Sequence, residues 1–207
     1  IRVNGDIALG FAPEAADGNV IQQNYIGVDA TGATALGNGV ASEGASSGIT
    51  IIGASNTTIG GLNALVAGNV IANNGLDGVT VAPRAFTGAQ LPLNNAIQGN
   101  SIFNNGALGI DLDTEGVNTN DPGDGDTGAN NLQNYPILTA ALTRATGTTV
   151  TGTLNSTANS TFAIELFSNT ACDTSGNGEG ETYLTRTTVT TNAAGLANFS
   201  VATGLVP

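Results

Sequence analysis

The sequence places six carboxylates within 16 consecutive positions, and these are the side chains best suited to bind a ligand. They are Asp111, Asp113, Glu115, Asp121, Asp124 and Asp126. Six like charges this close together repel one another unless a counterion offsets them, and Ca²⁺ prefers hard oxygen ligands on loops. The cluster therefore predicts a Ca²⁺ site that stabilises a junction between two modules, with a solvated, metal-free acidic turn as the alternative.

This acidic cluster does not match the EF-hand motif. Residues 111–116 resemble the start of an EF-hand loop, but its twelfth position, where a bidentate Glu belongs, holds Pro122. A Ca²⁺ site in this sequence therefore needs a different arrangement of ligands.

The usual groups for acid–base or nucleophilic catalysis are missing. The chain has no His and no Lys, and its basic residues are Arg2, Arg84, Arg144 and Arg186. A Ser or Cys nucleophile would have no base to activate it. We therefore interpret the protein as not an enzyme. Cys172 is the single cysteine, so it is structural, exposed or paired outside this chain.

Charge limits the partners that the chain can bind. A formal net charge of −12 leaves no basic patch for nucleic acid or for an anionic membrane surface. No apolar run reaches the roughly 18 residues that a membrane span requires, so we expect no membrane insertion. Copies of the chain, other surface proteins and polysaccharide remain as partners.

An internal repeat provides the main signal for the fold. The segment G-N-V-I-A-N-N-G-L-D-G-V-T-V at 68–81 recurs as G-N-S-I-F-N-N-G-A-L-G-I-D-L at 99–112. Its apolar residues alternate over only two or three positions, which predicts very short strands. Short strands become stable when successive turns of chain stack into parallel sheets around a dry core. Residues 1–112 therefore predict a parallel β-helix, with residues 82–93 as an insertion.

The asparagines of the repeat fit this prediction because an amide carries both a donor and an acceptor. We expect Asn74 and Asn105 to occupy equivalent corners and to hydrogen-bond to each other as a ladder. The alternative is that Asn and Gly simply mark loops.

The pattern changes after residue 112. Residues 113–136 are acidic, Gly-rich and Asn-rich, which predicts a loop that ends the β-helix. Residues 137–207 then predict an Ig-like antiparallel β-sandwich module. Its predicted strands are 137–145, 148–154, 161–167, 183–191 and 197–201. Five strands are fewer than the roughly seven of a complete sandwich, so the module is incomplete and has an open edge.

Several segments resemble the right-handed parallel β-helix repeat proteins of bacterial surfaces, which have a pectate-lyase-like fold. They are N-Y-I-G-V-D-A-T-G at 24–32, I-G-G at 59–61, G-N-V-I at 68–71, G-I-D-L at 109–112 and N-N-L-Q-N-Y-P at 130–136. Residues 167–180 resemble the module that follows the β-helix in those proteins. The resemblance implies an all-β chain with a right-handed β-helix, secreted or anchored at the cell surface.

Two functions remain open. The first is an extracellular structural or adhesive element, an excised piece of a longer protein, whose copies form filaments when residues 1–9 of one copy complete the sheet of the next. The second is a carbohydrate-binding or carbohydrate-processing β-helix. Sugar binding would be favoured by an exposed row of aromatics, but Tyr25, Tyr135 and Tyr183 do not recur at the repeat spacing. The first function is therefore preferred.

Overall fold

The structure is a computed structural model that describes residues 2–4, 16–39, 46–62, 68–84, 90–113, 116–173 and 176–205. These residues form 15 strands and one short 3-10 turn, Ala129–Leu132, and no α-helix occurs among them. The prediction of an all-β protein is confirmed, and both parallel and antiparallel sheets are present.

Contacts divide the chain into two units. The first unit consists of Ile1–Val117, Gly128–Asn130 and Asn169–Glu181. The second consists of Asn118–Thr127, Asn131–Ser168 and Thr182–Pro207. Because residues 169–181 belong to the first unit, each unit is built from segments that are distant in sequence.

Three parallel sheets make up the first unit. One contains β1 (Arg2–Asn4), β4 (Ile49–Ile52), β7 (Val79–Ala82) and β10 (Ile110–Leu112). The second contains β2 (Val20–Ile21), β5 (Thr58–Gly60) and β8 (Ala96–Gln98), and the third contains β3 (Tyr25–Ile26), β6 (Val70–Ala72) and β9 (Ser101–Phe103). The chain visits the three sheets in a fixed order, and we define each passage through all three as a round. Strands β1–β3 form the first round, β4–β6 the second and β7–β9 the third.

The core of the first unit consists of aliphatic columns that run from round to round. Ile26 pairs with Ile71, and Ile71 pairs with Ile102, and all three side chains are buried. Ile49 and Val79 are likewise aligned and fully buried. Burying one such side chain stabilises a fold by about 1.5–3 kcal/mol, so the stacked columns hold strands that are too short to be stable alone.

Two asparagine ladders run beside these columns. Asn74 donates its backbone N–H (3.1 Å) and its Nδ2 (2.9 Å) to Oδ1 of Asn105, so the predicted contact is confirmed. Asn38 makes the same two contacts to Oδ1 of Asn74. The second ladder joins Asn24, Asn69 and Asn100 by the same pair of bonds at each step.

A third ladder has a threonine at one position. The backbone N–H of Thr57 donates to Oδ1 of Asn95 over 2.9 Å. Asn95 in turn donates its N–H and Nδ2 to Oδ1 of Asn130, which lies in the 3-10 turn. Asn130 is held there by its own N–H, which donates to the carbonyl of Pro92. The hydroxyl of Thr57 is buried and has no hydrogen-bond partner.

Two glycines are required where adjacent rounds approach most closely. Gly27 and Gly60 have φ values of +80° and +81°, a region that side-chain-bearing residues rarely adopt. A Cβ at Gly27 would collide with the carbonyl oxygen of Ala72, and one at Gly60 with the carbonyl of Gln98. The Ile-Gly pairs of the sequence therefore mark places where only glycine allows the rounds to stack.

The second unit contains five antiparallel strands. They are β11 (Ile137–Arg144), β12 (Gly147–Asn155), β13 (Thr161–Ser168), β14 (Thr182–Thr190) and β15 (Leu196–Thr203). One sheet has the order β11-β12-β15, and the other pairs β13 with β14. The predicted strands agree with these bounds to within two residues at each end. Val150, Leu154, Ile164, Leu166 and Phe199 are among the residues of its buried core.

Candidate functional site

Asn134 organises the acidic loop of the second unit. Its Oδ1 accepts the backbone N–H of Asp121 (3.1 Å), and its own N–H donates to Oδ1 of Asp124 (2.8 Å). Its Nδ2 donates to the carbonyls of Asp121 (2.7 Å) and Asn155 (2.8 Å). The side chain is 3% exposed, so a buried amide fixes this turn of the loop from the inside.

Three further hydrogen bonds fix the turn. Gly123 N–H donates to Oδ1 of Asn155 over 3.0 Å, and Gly125 N–H donates to Oδ2 of Asp121 over 2.9 Å. The hydroxyl of Ser156 donates to Oδ2 of Asp124 over 2.8 Å. Both carboxylate oxygens of Asp124 therefore already accept hydrogen bonds from the protein.

Asp121, Asp124 and Asp126 converge, with one carboxylate oxygen of each lying within 4.8 Å of the others. Oδ1 of Asp121 and Oδ1 of Asp126 are buried atoms without a hydrogen-bond partner. A cation would satisfy both oxygens, because buried acceptors are normally paired and Ca²⁺ takes oxygen ligands of this kind.

The electrostatics of the acidic cluster, like its geometry, favour a bound cation. The pKa of Asp126 is raised above its usual value, first by burial and then by the charges of Asp121 and Asp124. Each cause penalises the ionised carboxylate, and a divalent cation would offset each of them.

The structure brings together three of the six predicted ligands. Asp111 lies on β10 in the first unit, where it is 2% exposed and its Oδ2 accepts the N–H of Gly116 over 3.3 Å. Asp113 follows that strand with a φ of +76°. Glu115 lies outside the described residues. Among the residues that the structure describes, no cluster of three or more acids includes Asp111 or Asp113.

Asn134, Asn155 and Ser156 were not identified from the sequence as parts of this site. They are separated from the acids by 8 to 35 positions, and their roles depend on how β12 is placed beside the loop. In the sequence Asn155 and Ser156 only begin the polar turn at 155–160 that follows a predicted strand, and such a turn is a weak indication of a site.

Strand β11 of the second unit is unusual because it is exposed along its whole length. It is an edge strand of its sheet, and every one of its eight residues is exposed. Ile137, Leu138 and Leu142 are 48%, 58% and 51% exposed. By contrast β15, at the other edge, alternates exposed and buried residues along most of its length. Since Ala141 pairs with buried Val150 and Leu142 with exposed Thr149, neither face of β11 is covered.

Tyr25 is not part of an aromatic column in the first unit. Tyr25 is 52% exposed on β3, and the residues aligned with it in the next two rounds are Val70 and Ser101. Its column therefore offers a sugar ring one aromatic side chain and not a continuous stacking surface.

No described helix has the length and apolar character needed to cross a membrane. Comparison of the sequence with models of protein families gave no match, and comparison with curated proteins gave none either.

Proposed function

We propose that this chain is a structural or adhesive element of an extracellular surface, not an enzyme, and that copies of it associate through strand β11. The observation that supports this most directly is the exposure of β11 along its whole length. Long, aliphatic edge strands are normally blunted by charge, proline or a covering element, because unpaired backbone groups and apolar side chains recruit other strands.

The proposed architecture is a right-handed parallel β-helix followed by an Ig-like sandwich. Three parallel sheets visited in a fixed order, with aliphatic columns and asparagine ladders between rounds, favour a β-helix for the first unit. We propose a right-handed β-helix because connections between parallel strands strongly prefer the right-handed sense. The two antiparallel sheets with a shared core favour a sandwich for the second unit.

Charge favours a second copy as the occupant of the β11 edge. The chain carries a net charge of −12, so most approaches between copies are opposed by repulsion. Residues 135–164, which include β11 and β12, contain no acidic residue and one base, Arg144. Two copies meeting at this edge would therefore avoid the repulsion that acts elsewhere on the chain.

Strand donation by residues 1–9 is a different route to assembly. Of that segment the structure describes Arg2–Asn4, which pair in parallel with β4 of the same chain. Donation to another copy would have to exchange that pairing for an intermolecular one. Association through β11 requires no such exchange, and we therefore favour it.

Light scattering across the micromolar range tests this proposal. We expect the wild-type chain to increase in mass with concentration, and Leu142→Lys to remain a monomer because it places a charge on the edge. Leu196→Lys is the matched control, since Leu196 is 49% exposed on the opposite edge strand, β15. A wild-type monomer at all concentrations, or equal loss of association in both variants, would contradict association through β11.

We also propose that Asp121, Asp124 and Asp126 bind Ca²⁺. The two buried oxygens without a partner, on Asp121 and Asp126, support a cation more than a solvated turn. The site is built on the second unit alone, and its effect should therefore appear in the stability of that unit. Isothermal titration of the apo chain with Ca²⁺ tests it directly.

The alternative function is carbohydrate binding or processing. It is supported by the likeness of the arrangement to folds that commonly bind polysaccharide, and not by a specific group of residues. Association with defined polysaccharides that does not require β11 would favour it.

An extracellular location is part of the proposed structural or adhesive function, because surface adhesion and Ca²⁺ binding at extracellular concentrations are consistent with each other.

A further inference from the structure

The last round of the first unit is closed by a segment from much later in the chain. We define residues 178–181 as the closing segment. Ile102 N–H on β9 donates to the carbonyl of Gly180 (2.8 Å), and Gly180 N–H donates back to the carbonyl of Ile102 (2.9 Å). The hydroxyl of Ser101 donates to the carbonyl of Glu181 over 2.6 Å. The closing segment thus covers the edge of β9 that a further round would occupy.

Glu179 takes the position of the next asparagine in the ladder. Asn105 donates its N–H (3.3 Å) and its Nδ2 (2.9 Å) to Oε1 of Glu179, repeating the two bonds that Asn74 makes to Asn105. Asn74 and Asn105 each accept two bonds from the preceding member and donate two to the next, whereas Asn38, the first member, donates to Asn74. The last member only accepts, and a carboxylate can therefore fill this one position and no other.

Short contacts within its own hairpin hold the closing segment in shape. Asn169 donates its Nδ2 to the carbonyl of Glu179 and accepts the N–H of Glu181, both over 2.8 Å. Oε2 of Glu181 accepts the N–H and the hydroxyl of Thr170. Asn169 and Thr170 therefore hold the closing segment by hydrogen bonds that do not involve β9.

We propose that the closing segment is a proton-responsive strap, which holds the edge of β9 most firmly when Glu179 is protonated and opens more readily when Glu179 is ionised. The closed strap satisfies the N–H of Ile102 and both donors of Asn105, and opening exposes these groups to solvent. The response depends on the partial burial of the Glu179 carboxylate in this contact, since burial disfavours its ionised form, while the two amide donors of Asn105 act in the opposite direction.

The charged groups around Glu179 are all acidic. Residues 101–109, which pack against it, contain no titratable side chain. On its own hairpin the titratable side chains are Cys172, Asp173 and Glu181. Burial raises the pKa of Glu179, Asp173 raises it further, and the hydrogen bonds from Asn105 act in the opposite direction. A pKa raised in the closed state means that closure is most favourable at low pH and weakens as the pH rises through that pKa.

Amide hydrogen exchange on the full chain tests the strap. The protection factors of the Gly180 and Asn105 amides report closure, and the Val70 amide, which donates to the carbonyl of Asn24 between rounds, is the internal reference. We expect protection at Gly180 and Asn105 relative to Val70 to rise as the pH is lowered. Glu179→Gln keeps an acceptor oxygen without ionising, so its relative protection should be independent of pH. Glu179→Ala should lower protection by about tenfold or more at every pH.

Glu181→Gln is the matched control, because it changes a neighbouring carboxylate of the same segment that does not enter the ladder. It should keep the pH response of the wild type. The strap is overturned if relative protection in the wild type is independent of pH, if Glu179→Gln keeps the wild-type response, or if Glu181→Gln abolishes it. Unchanged protection at Val70 in all variants shows that each of them has folded.

Discussion

The side-chain amide of Asn74 donates to Oδ1 of Asn105 over 2.9 Å, while Oδ1 of Asn74 itself accepts two hydrogen bonds from Asn38. Asn74 is 2% exposed and Asn105 is 7% exposed, so these contacts are shielded from water. Asn74 therefore pairs with two ladder neighbours at once, and its removal leaves groups unsatisfied on both sides.

Asn74→Leu should therefore lower the free energy of unfolding of the first unit by about 1–3 kcal/mol, the penalty for leaving buried donors or acceptors without partners. Chemical denaturation measures this change. Asn198→Leu is the control, because Asn198 is exposed on β15, and its effect should stay within about 0.5 kcal/mol. Equal small effects in both variants would show that the ladder contributes little to stability.

Removing the hydroxyl of Thr57 should have the opposite effect on stability from removing the amide of Asn74, because this hydroxyl is buried without a hydrogen-bond partner. Thr57→Val keeps the shape of the side chain and removes the unsatisfied oxygen, so we expect stability to increase by about 1 kcal/mol. Thermal and chemical unfolding of the variant measure the change.

Thr80→Val is the matched control for this substitution. The hydroxyl of Thr80 donates to Oδ2 of Asp77 over 2.9 Å and lies 2.7 Å from the hydroxyl of Ser47. The same change should therefore destabilise the protein at position 80. A loss of stability in Thr57→Val would show that the hydroxyl of Thr57 has a role that its contacts do not reveal.

The strand positions and the Asn74–Asn105 contact could be predicted from the sequence because both follow local rules. Two-residue alternation places Ile49 and Ile51 on one face of a strand, and a 31-residue repeat places equivalent asparagines above one another. Each of these signals lies within a short window of sequence and needs no knowledge of distant segments.

The roles of Glu179, Asn130 and Asn134 could not be predicted in the same way. Glu179 ends a ladder whose last asparagine lies 74 positions earlier, and it is neither an Asn nor part of the repeat. Asn130 completes the third ladder from a turn with positive φ that no strand pattern indicates. The acidic cluster shows the same difficulty, because six acids that are close in sequence do not reveal which three converge in the fold.

The proposed Ca²⁺ site predicts a metal-dependent stability. At a concentration about 100 times the Kd, a ligand that binds only the folded state stabilises it by about 2.7 kcal/mol, which should raise the Tm of the second unit by several degrees. Calorimetry in chelator and in Ca²⁺ measures the shift. Asp126→Asn should abolish it, whereas Asp113→Asn should preserve it because Asp113 lies outside the cluster. An equal loss in both variants would favour the wider six-residue site.

The pH dependence of stability should reverse its sign when Ca²⁺ is added. Because the pKa of Asp126 is raised in the folded state, the apo protein gains stability as the pH falls through that pKa towards the ordinary value of 3.8. With Ca²⁺ present, protons compete with the metal for the same carboxylate, and acidification over this range should remove the stabilisation. Urea unfolding at several pH values, in chelator and in Ca²⁺, compares the two slopes. Asp126→Asn should remove the difference between them, because the variant no longer binds Ca²⁺ and its amide cannot titrate. If the wild-type slopes are equal in chelator and in Ca²⁺, then Asp126 is not a ligand, and the acidic turn is solvated without a metal.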